Sequence, residues 1–264
     1  MGKFTHYLIT RFNVPVEAWH SDKAGQQTLD DEWLDHRFEL FERFCLPSVR
    51  QQTQQHFQWV LYFDSQTAPP FRKKIESCIE LMPNTSLRYV ADINAMLSDL
   101  RSLVGLSPSP YVMTTRLDND DAIGNKFIQT LQDHFEEKNN VILNLVGGFY
   151  YEAEQQVLTR MNAETCNPHL TLIEQILPKQ EPMTVLGFPH TAVPTEMTIH
   201  HLREPGHWLK IIHPRNIKSR LKGKPVFRIT SSFTDEWGNI SCPLSMWKTG
   251  KYLLQRTWQV ITSK

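Results

Sequence analysis

The sequence has no apolar run long enough to cross a membrane and no excess of charge of either sign. Its 264 residues include 28 Lys or Arg and 28 Asp or Glu, so the formal charge is zero and a globally basic nucleic-acid-binding protein is disfavoured. The run Val141–Val146 is far shorter than the ~20 residues of a membrane-spanning helix. A strand-like pattern begins at His6, which leaves no room for a signal peptide. We therefore expect a cytoplasmic protein.

Paired cysteines and the common nucleotide-binding signatures are also missing. The four cysteines lie far apart without a Cys-x-x-Cys pair, which argues against a disulfide framework or a zinc site. No Walker, Rossmann or Ser-His-Asp motif occurs in the sequence. What the chain does contain is 40% hydrophobic and 11% aromatic residues, which is enough for a packed core.

The first half of the chain alternates strand-like runs with amphipathic helical segments, a pattern typical of a mostly parallel α/β sheet. The strands are predicted at Tyr7–Phe12, Phe57–Phe63, Leu87–Val90 and Tyr111–Thr115. The helices are predicted at Asp31–Phe44, Phe71–Leu81, Ile93–Leu103 (capped by Asn94) and Phe127–Phe135. The second half favours a hairpin from Val141–Tyr151 and Gln156–Met161, a helix that carries Glu174, and a short strand that ends at His213. We expect one domain, with a nucleotide-binding half (1–125) and a mixed α+β half (126–264).

The segment Thr114–Asp121 places three carboxylates at the end of a predicted parallel strand: Asp118, Asp120 and Asp121. The carboxyl ends of such strands form the ligand crevice of open α/β sheets. Carboxylates about 4 Å apart repel by roughly 4 kcal/mol at an effective dielectric constant near 20, and a divalent cation relieves this repulsion. Their hard oxygen ligands suit Mg²⁺ or Mn²⁺. On this basis we expect Asp120→Asn to relieve repulsion in the metal-free protein. The alternative interpretation is an exposed acidic turn that caps a helix beginning at Ala122.

Several segments in this order and spacing resemble the rhamnosyl transferase family, whose members are similar to GT-A-type glycosyltransferases. The resemblance covers the chain from about Tyr7 to Asn216 and includes the R-x-D-x-D-D pattern after a strand. It implies a GT-A-like (Rossmann-like), mostly parallel mixed sheet flanked by helices, a DxD motif and a nucleoside-diphosphate sugar donor. The segments that carry it are Ile9–Asn13, Arg37–Thr53, Phe57–Asp64, Thr115–Ile123 and His207–Asn216.

The resemblance also implies roles for individual residues. The ends of the first two strands would line the nucleoside pocket with Thr10, Arg11, Asn13 and Asp64, although Asp64 is equally an acceptor for the turn that follows it. Asp118 would meet ribose or metal, and Asp120 would hold Mn²⁺ or Mg²⁺ against the diphosphate. Asp121 would either ligate the metal or orient the loop and the sugar for catalysis, and Arg116 would tether these carboxylates.

His213 is the second candidate metal ligand, because it ends a short apolar run and the family pattern H-x-x-N matches His213 and Asn216. Its alternative interpretation is a structural histidine. It lies in a basic segment, since Leu202–Arg228 contains eight Lys or Arg and one acidic residue. These cations would neutralise a leaving diphosphate, or they form a solvated loop. Those nearest to His213 are Lys210, Arg215, Lys218 and Arg220.

An inverting transfer also needs a carboxylate that takes the proton of the acceptor hydroxyl. Glu174 is the first choice, and Glu152, Glu164 and Glu196 compete with it. A retaining enzyme would need no such base. The stretch Gly147–Tyr151 is either a bend in a strand or an aromatic surface on which a sugar packs.

The sequence therefore predicts a metal-dependent glycosyltransferase that moves a sugar, rhamnose being one option, to an acceptor hydroxyl. The acceptor is expected to be a glycan or glycoconjugate, and a nucleic-acid acceptor is not excluded. A nucleotidyltransferase-like protein and a non-catalytic nucleotide- or carbohydrate-binding protein are the alternatives. A nucleotidyltransferase needs a glycine-rich phosphate loop after its first strand, and Thr10–Asn13 contains no glycine at that position. A haloacid-dehalogenase-like phosphatase is disfavoured because its D-x-D follows the first strand, whereas Asp118 follows the fourth.

Overall fold

The structure is a computed structural model that describes residues 2–17, 28–161, 166–204, 207–216 and 219–262, with side chains as far as 255. Its strands are β1 (Phe4–Arg11), β2 (Gln58–Asp64), β3 (Thr85–Val90), β4 (Tyr111–Arg116), β5 (Ala122–Ile123), β6 (Val141–Leu145), β7 (Gly148–Glu152), β8 (Val157–Met161), β9 (Thr171–Gln175), β10 (Thr198–Leu202), β11 (Trp208–Ile212) and β12 (Lys224–Pro225). Its helices are α1 (Asp31–Leu40), α2 (Leu46–Arg50), α3 (Pro69–Ile79), α4 (Ile93–Gly105), α5 (Phe127–Asp133), α6 (Ser231–Trp237) and α7 (Met246–Thr262), and a π-helical turn (Phe41–Cys45) joins α1 to α2.

The larger sheet has seven strands in the order β10-β6-β9-β4-β1-β2-β3. Strand β9 runs antiparallel to both of its neighbours, whereas the other pairs are parallel. Ile9 of β1 lies opposite Arg116 of β4, and the Leu117 N–H donates to the Ile9 carbonyl oxygen at 2.9 Å. The carboxyl ends of these two strands therefore lie side by side. The predicted mixed, mostly parallel sheet flanked by helices is confirmed.

Alternate side chains of the parallel strands enter two different cores. Leu8 and Leu61 pack with Phe38 and Phe41 of the helical segment on one face of the sheet. Val60 packs on the other face, with α4. Because both faces are covered, these strands read in the sequence as nearly continuous apolar runs. The same burial fixes the register at the strand ends, where the candidate site lies.

A smaller five-stranded sheet has the order β12-β8-β7-β11-β5. The hairpin predicted for the second half is confirmed in β7 and β8, which pair antiparallel. Only the part of the predicted arm Val141–Tyr151 that begins at Gly148 belongs to this hairpin, because β6 lies in the larger sheet and β7 in the smaller one. The chain changes sheets at Gly147, whose φ of 92° is a backbone conformation that side-chain-bearing residues rarely adopt.

Three other local predictions need correction. Glu174 lies on strand β9, not on a helix, because the run that includes Thr171 and Ile173 inserts between β4 and β6. The side chain that caps α4 is Asp92, whose carboxylate accepts from the Ala95 N–H at 2.8 Å, and not Asn94. The acidic segment leads into strand β5, not into a helix at Ala122. The division of the domain into two functional halves stays a prediction.

Candidate active site

The three carboxylates of the acidic segment meet in the loop between β4 and β5. One oxygen from each of Asp118, Asp120 and Asp121 lies within 4.8 Å of the others. The Asp121 N–H donates to the Asp118 carbonyl oxygen at 3.2 Å, which closes the loop into a tight turn. Asp120 and Asp121 are buried, and Asp118 is half-buried. The interpretation as an exposed acidic turn is therefore wrong.

Asp120 is held by partners from two distant parts of the chain. Its Oδ2 accepts from the Arg37 guanidinium, which is buried on α1. The same oxygen lies 3.0 Å from His213 Nε2 and 3.3 Å from Asn216 Nδ2. Burial raises the pKa of Asp120, but Arg37 and His213 outweigh it and hold the pKa below its ordinary value. Asp120 is therefore a carboxylate at neutral pH.

Asp118 is paired with cations on either side. Arg116 donates to its Oδ1 from Nε at 3.1 Å and from a terminal nitrogen at 3.0 Å, and Lys210 Nζ lies 3.5 Å from its Oδ2. Burial raises the pKa of Asp118, but Arg116 and Lys210 outweigh it and hold the pKa well below its ordinary value. The carboxylates also shift the pKa values of the cations. Asp118 raises the pKa of Arg116. Burial lowers the pKa of Lys210, but Asp121 and Asp118 outweigh burial and raise it above its ordinary value.

Asp121 ties the acidic loop to strand β11. Its Oδ1 accepts from the Ile211 N–H at 2.9 Å, and its Oδ2 accepts from Lys210 Nζ at 2.7 Å. His169 Nε2 lies 3.4 Å from the same Oδ2, and both side chains are fully buried. Asp121 thus faces the interior and orients Lys210, which in turn reaches Asp118.

A cavity of about 510 Å³ opens beside this loop. Its wall includes Asp118 and Asp120, together with the cations Arg11, Arg116 and Lys210. A second cavity of about 250 Å³ shares Arg11, Arg116 and Asp118 with it and is otherwise mostly apolar, with Ile93, Met96 and Phe188 in its wall. Burial lowers the pKa of Arg11 to about 10, so its guanidinium stays charged at neutral pH. Two carboxylates therefore face a space that is lined by fixed positive charge.

A comparison with protein-family models identifies the family to which the chain belongs. The family model described as "Putative rhamnosyl transferase" matches residues 5–225, which include the acidic loop, Lys210 and His213. The chain belongs to this family. The resemblance inferred from the sequence is confirmed, and the rhamnosyl transferase family is a family of glycosyltransferases.

Two solved structures are similar to this rhamnosyl transferase family member at low scores. TarS 1-349 from S. aureus is 10% identical with a TM-score of 0.43, and the alignment covers 78% of this chain. The chain spans 60% of the length of that TarS chain. The inositol-1-phosphate CTP transferase from T. maritima is 8% identical with a TM-score of 0.35, and the alignment covers 83% of this chain and 93% of that one. At these scores neither likeness bears on function. No curated protein sequence matches the chain.

The structure separates the predicted substrate-binding residues into two groups. Residues that line the larger cavity are Arg11, Arg116, Asp118, Lys210 and Asn216. The remaining four are bonded within the scaffold and are absent from the described wall of either cavity: Thr10, Asn13, Asp64 and Arg215.

Each of these four has an evident structural partner. Thr10 accepts from Trp59 Nε1 at 3.0 Å. Asn13 Oδ1 accepts from the Asp64 N–H at 3.1 Å, and the Asp64 carboxylate accepts from the N–H of Gln66, two residues further on, at 2.8 Å. Asp64 thus acts here as the turn acceptor. Arg215 reaches Glu32 in the first turn of α1 at 3.7 Å.

His213 lies beside Asp120 and outside the described cavity wall. Its Nδ1 is 3.2 Å from His36 Nε2, and its Nε2 contacts Asp120 and, at 2.7 Å, Asn216 Nδ2. Burial lowers the pKa of His213 more than Asp120 raises it, which favours the neutral ring. In this arrangement His213 orients Asp120, and its role as a metal ligand stays a prediction.

Glu174 is not brought to the acidic loop. It lies opposite Val112 near the start of β4, whereas the loop follows the end of that strand. Its two carboxylate oxygens accept from the N–H groups of Met183 at 2.7 Å and Thr184 at 2.9 Å. The buried Glu174 therefore fixes a loop, and its predicted role as the base that takes the acceptor proton is not supported by this position.

Two of the competing carboxylates, Glu152 and Glu196, lie on other parts of the fold. Glu152 ends β7 opposite Ile212, and Glu196 is exposed in the turn before β10. Neither belongs to the cavity wall that the described residues form. Glu164 and the basic residue Lys218 lie outside the described residues.

Three side chains of the site were missed by the sequence reasoning: Arg37, His169 and His190. Arg37 interrupts the apolar stripe of α1 and stacks on Trp33 at 4.7 Å, and a cation within such a stripe is the signal that marks it. His190 lines the larger cavity, and burial lowers its pKa to about 4, so that the ring is neutral at pH 7. For His169, which precedes β9, the sequence offers no local signal.

The donor set of the acidic loop fits a hard divalent cation. Asp118 and Asp120 both face the larger cavity and offer carboxylate oxygens, the ligand type that Mg²⁺ and Mn²⁺ prefer. Asp121 is turned away from the cavity, with both oxygens accepting from β11. The residues that would hold a cation are therefore Asp118 and Asp120. No described helix is long and apolar enough to cross a membrane.

Proposed function

We propose that the protein is a metal-dependent glycosyltransferase that moves a sugar from a nucleoside-diphosphate sugar to an acceptor hydroxyl. The observation that carries this proposal is the cavity at the ends of β1 and β4, in which Asp118 and Asp120 lie beside Arg11, Arg116 and Lys210. A sugar nucleotide needs such a site, because its diphosphate is anionic and its departure leaves negative charge behind.

The charges of the site support binding of the diphosphate beside Asp118 and Asp120. Mn²⁺ or Mg²⁺ held by Asp118 and Asp120 would supply a Lewis acid that stabilises charge on the departing diphosphate. Lys210 contributes a fixed positive charge, because its Nζ donates to Asp121, which the Ile211 N–H holds in turn. Arg11 and Arg116 lie between the two cavities and suit the same oxygens, since guanidinium groups bind phosphates through paired hydrogen bonds.

The two cavities differ in character, which supports an assignment for the rest of the donor. The smaller one is mostly apolar, with Ile93, Met96 and Phe188 in its wall, and suits a nucleobase. The larger one contains Tyr150 and the neutral His190, which suit the faces and hydroxyls of sugars. The donor sugar and the acceptor would meet there. The acceptor is a glycan or glycoconjugate in this proposal, and the expected cytoplasmic location stays a prediction.

The test is a turnover assay with a panel of sugar nucleotides, beginning with rhamnose nucleotides because of the family name. Release of nucleoside diphosphate is followed with Mn²⁺ and with EDTA. We expect hydrolysis or transfer of at least one donor that EDTA abolishes and that Asp118→Asn lowers by about 100-fold or more. Asp235→Asn, a change in an exposed aspartate of α6, is the matched control and keeps full activity.

Other results would favour the alternatives. Release of pyrophosphate from a nucleoside triphosphate and a sugar phosphate would indicate a nucleotidyltransferase. Metal-independent binding of nucleotides without any turnover would indicate a binding protein. Turnover of a sugar nucleotide that is unchanged by EDTA would contradict the metal-dependent mechanism while leaving the transferase assignment in place.

A further inference from the structure

Helix α7 packs on the protein with its polar side. Thr249 is fully buried, the Tyr252 hydroxyl donates to the Gly223 carbonyl oxygen at 3.4 Å, and Lys248 Nζ donates to the Glu154 carbonyl oxygen at 3.2 Å. The helix lies against β8 and β12 through this side. An ordinary surface helix buries its apolar side instead.

The opposite side of α7 presents large apolar side chains to solvent. Trp247 is 82% exposed and Leu254 is 68% exposed, and their separation of seven positions corresponds to about two helical turns. Met246 is exposed beside them. We call the surface formed by Met246, Trp247, Lys251 and Leu254 the α7 face.

The surroundings of the α7 face carry positive charge. Lys251 is exposed within it, and the adjoining segment around β12 exposes Lys222, Lys224 and Arg228. The sequence contains no Asp or Glu after Glu236, although an exposed acidic residue, Glu154, contacts Lys248 of the helix through its carbonyl oxygen. An apolar helix face with a tryptophan and a cationic rim is the combination that binds anionic lipid surfaces.

We propose that the α7 face docks on an anionic membrane surface, with the helix lying in the plane of the headgroups. Trp247 and Leu254 enter the interface between headgroups and acyl chains, and the lysines contact lipid phosphates. A second copy of the chain is a poorer occupant, because two-fold pairing would bring two cationic rims together. The family match ends at residue 225, so the docking helix lies outside the matched part of the chain.

The larger cavity lies near the packed side of α7. Arg220 and Lys222 belong to its wall, and the Gly223 carbonyl oxygen accepts from Tyr252 of α7. The proposal itself does not depend on any catalytic activity of the cavity.

The test is co-sedimentation of the full chain with vesicles of phosphatidylcholine alone and of phosphatidylcholine mixed with phosphatidylglycerol. We expect binding to the anionic vesicles that high salt weakens, and at least about tenfold weaker binding to the neutral ones. The double variant Trp247→Glu/Leu254→Glu should lower binding to anionic vesicles by about tenfold or more. Both changes are on exposed positions, so the melting temperature should match that of the unchanged protein.

The matched control is Leu81→Glu/Leu106→Glu, which changes two leucines that are 84% and 83% exposed elsewhere on the surface. It should bind anionic vesicles like the unchanged protein. Equal loss of binding in both double variants would overturn the proposal, as would equal binding to neutral and anionic vesicles. Light scattering without vesicles gives the remaining outcome: a dimer that Trp247→Glu/Leu254→Glu dissociates would assign the face to a second copy instead.

Discussion

The ion pair between Arg37 and Asp120 is the contact whose removal tests the site most sharply without any ligand. Repulsion among three carboxylates alone would make Asp120→Asn stabilising in the metal-free protein. The structure reverses that expectation. Arg37 is buried on α1 and donates to Asp120, so the amide would leave a buried guanidinium without its counter-charge.

The magnitude follows from the burial of both partners. Two opposite charges in contact attract by about 5 kcal/mol at an effective dielectric constant near 20, and breaking one buried pair costs about 3–5 kcal/mol. Asn keeps one oxygen that accepts a hydrogen bond, so we expect a loss of about 3 kcal/mol. For a chain of this size that loss lowers Tm by about 6–12 °C.

The assay is thermal or urea unfolding in EDTA of the unchanged protein, Asp120→Asn, Arg37→Met and the double variant. The double variant leaves neither partner of the pair as an unpaired buried charge. Its unfolding free energy should therefore be about 2–3 kcal/mol higher than the sum of the two single-variant losses predicts. Asp235→Asn is the control and should change stability by less than about 0.5 kcal/mol. A melting temperature of Asp120→Asn at or above that of the unchanged protein would refute this reasoning.

Three further variants test other contacts of the site. Glu174→Gln should lower the unfolding free energy by about 1–3 kcal/mol, since the new amide group would face two backbone N–H donors. Turnover should stay unchanged. A large loss of turnover at full stability would restore Glu174 as the base. His213→Ala should weaken Mn²⁺-dependent binding of a nucleoside diphosphate by about 10–100-fold, because it frees Asp120, and calorimetry that shows no change would exclude this positioning role. Lys210→Met should weaken the binding of a nucleoside diphosphate by about tenfold or more, and an equal effect on the nucleoside would argue against a contact with the phosphates.

The parallel core and the acidic loop were predictable because their signals are local. The apolar run Trp59–Phe63 is what a strand covered on both faces requires. The position of Asp118 after the fourth strand then follows from counting. His213 was placed correctly at the end of a short strand for the same reason.

The errors concern contacts between distant parts of the chain. Strand β9 inserts antiparallel between β4 and β6, and nothing in the short run around Glu174 separates a strand from a helix turn. The pairing of Arg37 with Asp120 joins residues that are 83 positions apart, and only the packing of α1 against the sheet brings them together. Thr10, which a strand-end argument assigns to the pocket, instead points to Trp59, since side chains alternate along a strand.

The central claim is that Asp118 and Asp120 hold a divalent cation against the diphosphate of a sugar nucleotide. Calorimetric titration of the protein with nucleoside diphosphates that carry uracil, guanine or thymine tests it directly, each with Mn²⁺ and with EDTA. The account predicts that at least one nucleotide binds about tenfold or more tightly with Mn²⁺ and that Asp120→Asn removes this difference. Equal affinities with Mn²⁺ and with EDTA for every nucleotide that binds would contradict it.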